Sequence, residues 1–572
     1  MIKNLDSLNK FGAERQADGS VKFRLWAPAQ ETVSVAIESG DLLPMRRASD
    51  GWFEANATVP DGTRYRYRLS DGLTVPDPAS TGQAPDVHDA SVVGTGSIKW
   101  KHPEWRGRPW TETVLYEVHV GLAGGFRGVK DDLQRLASLG VTAIELMPVN
   151  DFSGNRNWGY DGVLPYAPDS AYGSPNDLKE LVDTAHGLGL MMFLDVVYNH
   201  FGPDGNYLQA YAPQFFRDDV NTPWGPAIDF RRREVRDFFT GSVLMWLTEY
   251  RFDGLRFDAV HAIQQQDWVE EMAATVRSTI DPDRRVHLVL EHHNAASLLR
   301  KDIDAQWNDD GHNVLHVLLT GEVSGYYADY ADHPAVKLAR VLAEGWVYQG
   351  ERSSYLNAPR GEPSAGLPPY AHVLFLQNHD QIGNRAFGER LTSLTSVAAL
   401  ECAIALYMLC PQIPLLFMGE ETASATPFLF FTDYHADLAN AVREGRRQEF
   451  AGFDEFADPV KRERIPDPNA IETFAACVPQ PGSGDRFAFY QRLISLRLEK
   501  IVPRLSGTVS LGAEAIGPKA VVARWKLGDA TKLTIVTNLG TDAVSFDTPS
   551  GCLLFAVGDA APMTAAYLEG AA

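Results

Sequence analysis

The sequence has few cysteines and little positive charge. Its four cysteines, Cys402, Cys410, Cys477 and Cys552, lie far apart in a chain of 572 residues and form no C-x-x-C pair. This spacing argues against a disulfide framework and favours a reducing compartment. The formal net charge of −22 argues against a polyanion such as nucleic acid as the main partner. We therefore expect a cytoplasmic protein that does not bind nucleic acid.

Long apolar segments are also missing. The N-terminal segment, MIKNLDSLNKFGAERQ, lacks the apolar core of a signal peptide. The longest apolar stretch, VAALECAIALYMLC, is interrupted by Glu401 and is too short to span a membrane, so it predicts a buried helix. No G-x-S-x-G or P-loop sequence is present, which argues against a serine hydrolase or a nucleotide enzyme. We expect no membrane partner.

Patterning divides the chain into three predicted domains. Residues 1–95 alternate polar and apolar positions in VKFRLWAP, TVSVAIE, GWFEANATV and TRYRYRLS, which predicts an N-terminal β-sandwich. The segment VPDPASTGQAPDVHDAS predicts a covering loop or linker. Residues 96–500 are predicted to form a central domain with loop insertions, and the acidic residues described below predict that it is catalytic. In residues 501–572, AVVARWKLG and TKLTIVTNLG flank a GDA turn and predict a small C-terminal antiparallel β-domain.

The middle part alternates predicted strands with predicted helices. TVLYEVHVG, VTAIELMPVND and MMFLDVVYNH predict strands, and VKDDLQRLASLG and SPNDLKELVDTAHGLGL predict the helices between them, the second with Ser174 near its N-cap. Further strands are predicted near 250–258, 286–291, 314–319, 371–377 and 413–418. This α/β alternation predicts parallel strands, and eight of them close a (β/α)8 TIM barrel.

Carboxylates follow the predicted barrel strands. Asp258 ends YRFDGLRFD, Glu291 follows VHLVL, Asp380 follows AHVLFLQNH, and Asp195 lies in MMFLDVVYNH. Because barrel strand ends converge, these acids are expected to share one site. Hydrolysis of a glycosidic bond with retention needs two carboxyl groups about 5–5.5 Å apart, and Asp258 and Glu291 end consecutive predicted strands. The alternative for any single acid is an N-cap or a surface charge.

Neighbouring side chains are expected to tune these acids. Arg256 lies two residues before Asp258 on the same strand face and could hold that carboxylate ionised. The apolar run before Glu291 predicts partial desolvation, which would raise its pKa towards that of a general acid. The acids are flanked by three histidines, which favours one shared site over separate structural roles: His200, His261 and His379.

Four motifs resemble, in order and spacing, the conserved regions of the α-amylase superfamily of glycoside hydrolases: DVVYNH, GLRFDAVH, the Glu of LVLEHHN, and QNHDQ. The resemblance covers roughly residues 110–480. It implies Asp258 as nucleophile, Glu291 as acid/base and Asp380 as the residue that grips the sugar hydroxyls. It further implies a set of substrate contacts around the cleaved bond: Trp158, Tyr160, Asp195, His200, Arg256, His261 and His379. For the two aromatic residues the alternative is a cluster in a loop core.

Other stretches resemble one family within that superfamily, the malto-oligosyltrehalose trehalohydrolases. They are DAQWNDDGHNVLHVLLTGEVSGYYADY, QNHDQIGNRAFGERL, PLLFMGEE followed by PFLFFTDY, and AVREGRRQEFAGF at 441–453. The resemblance implies cleavage of the α-1,4 bond next to a terminal trehalose unit. It also implies further sugar contacts from Asp309, His312, Gln381 and Arg385, for which the alternative is loop scaffolding.

Three places depart from that family pattern: His292-His293-Asn294 follows Glu291 where an acidic run is expected, Gly311 and Asn313 replace a bulky residue and a second histidine, and Thr422 rather than Trp follows Glu421. These departures leave the catalytic acids in place but affect the expected subsites. The adjacent histidines do not predict a metal site, because neighbouring strand residues point to opposite faces. We expect neither a metal nor a cofactor.

The sequence therefore predicts a retaining hydrolase that frees trehalose from malto-oligosyltrehalose. One alternative is an α-1,4-glucan branching enzyme, which uses a sugar hydroxyl in place of water. Another is a non-catalytic glucan-binding protein on a degenerate barrel, against which the complete set of acids argues. The N-terminal β-sandwich could bind glucan or pack against the barrel, and the oligomeric state stays open.

Overall fold

Eight parallel strands form a closed barrel in the computed structural model, which describes residues 11–94, 98–452, 456, 458–480, 482 and 484–570. The first strand pairs with the eighth, Leu115 lying opposite Leu415, so the sheet has no open edge. The predicted TIM barrel is confirmed. Its strands are Leu115–Val118, Ala143–Leu146, Met191–Val196, Gly254–Phe257, His287–Leu290, Ala305–Trp307, His372–Phe375 and Ile413–Phe417.

The inside of the barrel is apolar along the strands and polar at their carboxyl ends. Inward side chains form one buried cluster: Leu115, Ala143, Met191, Phe193, Val289, Ala305, Trp307, Val373, Phe375, Ile413 and Leu415. Two residues further along the first, second, third and fifth strands the inward position holds an acid: Glu117, Glu145, Asp195 and Glu291. The polar groups at the carboxyl ends of the strands therefore rest on a packed apolar floor.

The sixth strand is not where the sequence analysis placed it. Residues 314–319 lie in the helix Asp309–Thr320, and the sixth strand is Ala305–Trp307. Asn308 caps this helix by accepting the backbone N–H of Gly311 at 3.1 Å. The run VLHVLL is buried on all sides of the helix, so it shows no polar face that would reveal a helical period. The predicted strand at 314–319 is wrong for this reason.

Helices cover the outside of the barrel. Ser174 caps the second of them, Pro175–Gly187, by accepting a hydrogen bond from the backbone N–H of Asp177 at 3.1 Å, as the sequence predicts. In the described part of the chain, no helix has both the length and the apolar character needed to cross a membrane. The longer helices are Gly125–Leu139, Pro175–Gly187, Arg233–Thr248, Gln266–Thr279, Asp309–Thr320, Pro334–Glu344, Val397–Leu409, Ala436–Glu449 and Gly484–Leu496. The shorter ones are Leu208–Tyr211, Ala296–Leu299, His379–Gly383, Leu391–Leu394, Pro459–Arg462 and Ile471–Ala476.

Two antiparallel sheets precede the barrel. In sheet order, the first contains Gly12–Arg15, Val21–Trp26, Trp52–Ala57 and Arg46–Arg47, and the second contains Leu42–Pro44, Ser34–Ile37, Arg64–Arg68 and Thr74–Val75, with Ser91–Val92 also beside Arg64–Arg68. The segment between Thr74–Val75 and Ser91–Val92 contacts the barrel domain, where His88 Nδ1 lies 2.7 Å from the Tyr207 hydroxyl. The predicted boundary at 95/96 lies outside the described residues, as does Phe453 of the segment 441–453.

A five-stranded antiparallel sheet follows the barrel and confirms the predicted C-terminal fold. Its order is Val509–Gly517, Ala520–Lys526, Lys532–Asn538, Met563–Glu569 and Cys552–Val557. Its hydrogen bonds to the outer helices include those from Lys519 Nζ to the Leu318 carbonyl at 2.6 Å, from Trp525 Nε1 to the Leu342 carbonyl at 3.2 Å and from Thr564 Oγ1 to the Cys402 carbonyl at 2.9 Å. Shorter strand pairs in the barrel loops are Asn150–Asp151 with Leu164–Pro168, Phe216–Thr222 with Gly225–Ile228, and Arg352–Ser353 with Ala358–Pro359.

Candidate active site

A buried arginine holds the predicted acids together. Arg256, whose side chain is 2% exposed, donates from Nη1 to Asp195 at 2.5 Å and to Asp258 at 3.0 Å. Its Nη2 donates to Glu291 at 2.6 Å, and the guanidinium lies 4.1 Å from the centre of the Trp307 ring. We call Asp195, Arg256, Asp258 and Glu291 the Arg256 cluster. The structure thus brings together four residues that the sequence analysis singled out.

The pKa shifts in this cluster differ from the sequence-based expectation. Burial, and then the negative charge of Glu291, raise the pKa of Asp258 well above its ordinary range. Burial also acts to raise the pKa of Glu291, but Arg256 and His261 outweigh it and lower that pKa to about 2. The pKa shifts of Glu291 and Asp258 therefore run opposite to those expected from the sequence, because Arg256 pairs more closely with Glu291.

Backbone and amide donors fix the two carboxyl groups. Asn199 Nδ2 donates to Asp258 Oδ2 at 2.8 Å, and the backbone N–H of Ala259 donates to Glu291 Oε2 at 2.9 Å. Because two negative charges side by side repel each other, the pair of Asp258 and Glu291 is most stable when the two carboxyl groups share a single proton. The sequence analysis missed Asn199, although it stands in the same YNH motif as His200.

Aromatic rings and histidines form a wall beside the cluster. The Tyr160 hydroxyl donates to Asp195 at 2.7 Å, and its ring stacks on His379 with centroids 4.9 Å apart. The Trp158 ring meets the same histidine edge-on at 5.8 Å. Asp380, the residue after His379, accepts a hydrogen bond from Asn384 at 2.7 Å, and burial raises its pKa. These predicted residues lie next to the acids.

His200 connects that wall to a tryptophan that the sequence analysis missed. Its Nε2 lies 2.9 Å from the Tyr160 carbonyl and its Nδ1 lies 2.6 Å from Asn199 Oδ1. The Trp224 ring stacks on His200 at 4.5 Å and 11°, and remains 49% exposed. Trp224 lies between the short strands Phe216–Thr222 and Gly225–Ile228. A tryptophan between the turn-favouring residues Pro223 and Gly225 was the sequence feature that could have indicated an exposed aromatic ring.

Three histidines stand beside Glu291 at the first departure from the family pattern. His261 stacks on His293 with centroids 3.9 Å apart, and His292 lies 6.3 Å from His261. Burial lowers the pKa of His292 to about 4 and that of His293 to about 3, so both rings are neutral at neutral pH. His292 and His293 therefore place uncharged rings where the family pattern has an acidic run.

Asp309 and Asp310 are the first two residues of the same helix, but Asp309 lies near the acids of the Arg256 cluster and Asp310 contacts the surrounding loops. Burial, with added repulsion from Glu291, raises the pKa of Asp309 to about 8 against the pull of Arg360. Asp309 is therefore part of the charge balance around the acids. It would carry a proton at neutral pH and could donate a hydrogen bond.

Asp310 anchors the loops that surround the site. Its Oδ2 accepts the backbone N–H groups of Val347 at 2.7 Å and Tyr348 at 3.0 Å, and the Asn294 amide at 2.9 Å. Its Oδ1 accepts the Tyr330 hydroxyl at 2.5 Å and pairs with Arg360 at 3.2 Å. We call Asn294, Asp310, Tyr330 and Arg360 the Asp310 cluster.

The predicted residue His312 lies inside the helix packing. Its Nδ1 bonds to the Leu376 carbonyl at 2.7 Å, and its Nε2 lies 3.3 Å from the Tyr327 hydroxyl. One turn further along, His316 bonds to Glu322 at 2.7 Å. Both ring nitrogens of His312 are therefore occupied by protein groups.

Gln381 lies with Asp380 in the short helix His379–Gly383, and Arg385 lies two residues after that helix ends. Arg385 donates to both carboxylate oxygens of Glu322, at 2.7 and 3.0 Å. The Gln381 side-chain oxygen lies 3.4 Å from the Tyr326 hydroxyl. These two predicted residues thus make contacts within the loops, one residue and five residues after Asp380.

The surroundings of Gly311 and of Glu421 bear on the remaining departures from the family pattern. A Cβ at Gly311 would lie 2.4 Å from the end of the Leu374 side chain, so a larger residue there requires that side chain to shift. Glu421 accepts hydrogen bonds from the Tyr116 hydroxyl at 3.1 Å and from Arg135 at 2.8 Å. Glu421 is therefore committed to the outside of the barrel.

Family models match three stretches of the chain. Residues 94–221 match the alpha amylase catalytic domain. Residues 10–80 match carbohydrate-binding module 48, the isoamylase N-terminal domain. Residues 510–570 match DUF3459, a domain of unknown function.

Similar proteins extend over most of the chain. A malto-oligosyltrehalose trehalohydrolase from Deinococcus radiodurans is 41% identical over 82% of this chain and 78% of its own. One from Rhizobium sp. (strain M-11) is 36% identical over 97% of both chains. A 1,4-alpha-glucan branching enzyme from Rhodospirillum rubrum is 32% identical over 46% of this chain and 41% of its own.

Solved structures agree with the fold. A crystal structure of a candidate alpha amylase from Salmonella typhimurium is 43% identical, with a TM-score of 0.92 over 98% of this chain and 99% of that chain. A pullulanase from Paenibacillus barengoltzii, at 19% identity and a TM-score of 0.70, shares the fold. With relatives this similar over most of both lengths, the chain belongs to the malto-oligosyltrehalose trehalohydrolase family of the α-amylase superfamily.

Proposed function

We propose that this protein hydrolyses the α-1,4-glucosidic bond next to the terminal trehalose of a malto-oligosyltrehalose and releases trehalose with retention. The observation that carries the proposal is the Arg256 cluster, in which Asp258 and Glu291 end adjacent barrel strands and contact one guanidinium. Family membership supports the substrate. The match of residues 10–80 to a carbohydrate-binding module supports an α-glucan ligand.

In the first step, Asp258 attacks the anomeric carbon while the bond from that carbon to the leaving oxygen breaks. Glu291 gives its proton to that oxygen, which leaves as a trehalose hydroxyl. The pair carries one proton, so Asp258 must give it up before attack and Glu291 must receive it. A glycosidic oxygen beside Glu291 favours this shift, because it loosens the pairing with Arg256 that lowers the pKa of Glu291.

In the second step, Glu291 removes a proton from water, whose oxygen bonds to the anomeric carbon while the bond from that carbon to Asp258 breaks. This restores the carboxylate of Asp258 and the proton of Glu291. Asp380 and His379 are proposed to hold the hydroxyls of the sugar at the cleaved bond. Tyr160 and Trp158 supply the aromatic wall beside that sugar.

Asp309, Gln381, Arg385 and His312 are proposed to shape the sugar sites further out. Asp309 acts as a protonated donor, whereas the other three act through the loops they hold together. The trehalose specificity is thus assigned to the loops 304–330 and 377–391. We also propose a cytoplasmic location, which suits the four unpaired cysteines.

The decisive experiment compares two substrates of equal length, a malto-oligosyltrehalose and a reducing malto-oligosaccharide. Trehalose release from the first should be much faster than cleavage of the second, and NMR should show the α-anomer of the new reducing end first. The Glu291→Gln variant serves as the inactive control. Equal rates on both substrates, or new α-1,6 linkages, would contradict the proposal and favour an amylase or a branching enzyme.

A further inference from the structure

The first barrel strand carries an acid that the proposed reaction does not use. Glu117 is 1% exposed and points into the barrel at the level of the Arg256 cluster. Its Oε1 lies 2.5 Å from His379 Nδ1, and its Oε2 accepts the backbone N–H of His379 at 3.1 Å. One carboxylate therefore fixes both the backbone and the ring of a single residue.

The His379 ring is held rigidly by its other neighbours. Tyr160 stacks on one face at 26°, Trp158 meets it edge-on, and the Trp307 ring lies 6.1 Å away at 49°. Because Nδ1 is committed to Glu117, any hydrogen bond from this ring to a sugar must come from Nε2. The direction of that bond is thus set by a residue that does not touch the sugar.

Several charged and titratable groups act on His379. Burial would lower its pKa, but Glu117, with help from Asp380, raises the pKa above its ordinary value. Arg256 opposes that rise. The other groups that face the ring electrostatically are Asp195, His119 and the Tyr160 hydroxyl, which lies 3.4 Å from Nδ1.

We propose that Glu117 is a positioning residue that keeps His379 as an imidazolium whose Nε2–H points at the sugar on which the bond is broken. This rests on the proposed function. Hydrogen bonds to that sugar strengthen in the transition state, and a charged donor gains more from this than a neutral one. Glu117 therefore contributes to the rate through His379, which separates it from a purely structural buried acid.

The barrel provides a matched control on the next strand. Glu145 lies directly beside Glu117 in the strand register and is completely buried. Burial, and then Asp195, raise the pKa of Glu145 well above its ordinary range, so it is neutral. Neither of its carboxyl oxygens has a hydrogen-bond partner among the described residues. Glu117→Gln and Glu145→Gln are thus the same chemical change at adjacent positions, only one of which supports His379.

The kinetic test measures trehalose release by the full chain and both variants between pH 5 and pH 8. Glu117→Gln should lower kcat by about 10- to 100-fold with little change in KM, and Glu145→Gln should stay within about twofold. The ratio of Glu117→Gln to wild-type kcat should rise as the pH falls, because protons restore the imidazolium. Equal losses in both variants, or a ratio independent of pH, would overturn the proposal.

A double-mutant cycle checks that Glu117 acts through His379. In a His379→Asn background, Glu117→Gln should cost little more, since the ring it positions has gone. If the two losses multiply, the two residues act independently and the proposal fails.

A measurement without substrate separates this inference from the proposed function. In protein labelled with ¹³C,¹⁵N-histidine, the His379 signal is the one lost in His379→Asn. As the pH is raised, both ring nitrogens should stay protonated to a higher pH in the wild type and in Glu145→Gln than in Glu117→Gln. The same titration in all three proteins would refute the inference, even if trehalose is released. The expected NMR states without trehalose release would refute only the proposed function.

Discussion

Two buried groups of charges lie side by side above the barrel, and they are built differently. In the Arg256 cluster, one guanidinium is shared by three acids. Asp195 Oδ1 there has no hydrogen-bond partner within the described residues, and each cluster also holds one such arginine nitrogen, Arg256 Nε and Arg360 Nε. In the Asp310 cluster, one carboxylate receives three N–H donors, a hydroxyl and a guanidinium. The consecutive residues Asp309 and Asp310 face the two clusters.

The difference follows from what each cluster does. An acid whose hydrogen bonds are all made within the protein stabilises the fold and has nothing left for a ligand. An acid with an unpaired oxygen costs stability but keeps that oxygen available for a reaction. Asp195 in the Arg256 cluster is of the second kind, and Asp310 is of the first. Mutations should separate the two.

The largest expected effect on turnover comes from the Arg256 cluster. Asp258→Asn and Glu291→Gln should each lower kcat by at least about 10⁴-fold, since one loses the nucleophile and the other the acid. Asp258→Asn should leave the melting temperature close to that of the wild type, because the raised pKa of Asp258 means that a neutral group already suits its surroundings. Turnover within tenfold of wild type would contradict the role given to that residue.

The largest expected effect on stability comes from the Asp310 cluster. Asp310→Ala should lower the free energy of unfolding by about 3–5 kcal/mol, because Arg360 and two backbone N–H groups lose their buried partner. Urea unfolding measures this, and Asp309→Ala is the matched control at the neighbouring position. An equal or greater loss in the control would remove the distinction between the two clusters.

A smaller, pH-dependent effect is expected at Asp309. Its pKa rises from near 3.8 to about 8 on folding, mainly by burial. The stability gained by burying the protonated acid is complete below the lower value and is lost as the pH rises to the upper one. The Asp309→Asn variant does not lose this stability. The difference between its melting temperature and that of the wild type should therefore increase in favour of the variant from pH 4 to pH 8 and stay constant above that. A difference that does not change with pH would contradict the shift.

The smallest expected effect lies at the edge of the Arg256 cluster. Trp224 is half exposed and stacks on His200, so its free face can contact a sugar ring without taking part in the chemistry. Trp224→Ala should raise KM by roughly three- to tenfold and leave kcat within about twofold, whereas Trp224→Phe should retain most of the affinity. A large loss of kcat with unchanged KM would instead place Trp224 in the catalytic step.

Much of the fold and of the acid cluster could be predicted from the sequence. An apolar run that ends in an acid is a local signal, so Asp195, Asp258 and Glu291 were found without knowing their partners. The strand at 314–319 was wrong because a fully buried helix and a buried strand have the same apolar composition. The sixth barrel strand, Ala305–Trp307, is only three residues long and gives little pattern to read.

Electrostatics could not be predicted in the same way. The proximity of Arg256 to Glu291 depends on how neighbouring strands are staggered, and this reverses the expected pKa shift. Glu117 was hidden inside TVLYEVHVG, although an acid two residues after an inward Leu115 is a signal that a buried partner must exist. Long-range partners such as His379 become visible only in three dimensions.

The contact between the C-terminal sheet and the helices has a consequence for synthesis. Lys519 donates to Leu318, in the last turn of the helix that begins with Asp309 and Asp310, across 201 residues of chain. Trp525 donates to Leu342 across 183 residues. A ribosome completes the barrel strands well before it releases these two donors. The helix that presents both acids to their clusters therefore receives this support only after the whole barrel has been made, and a chain that stopped after the barrel would keep its acids but lack that support.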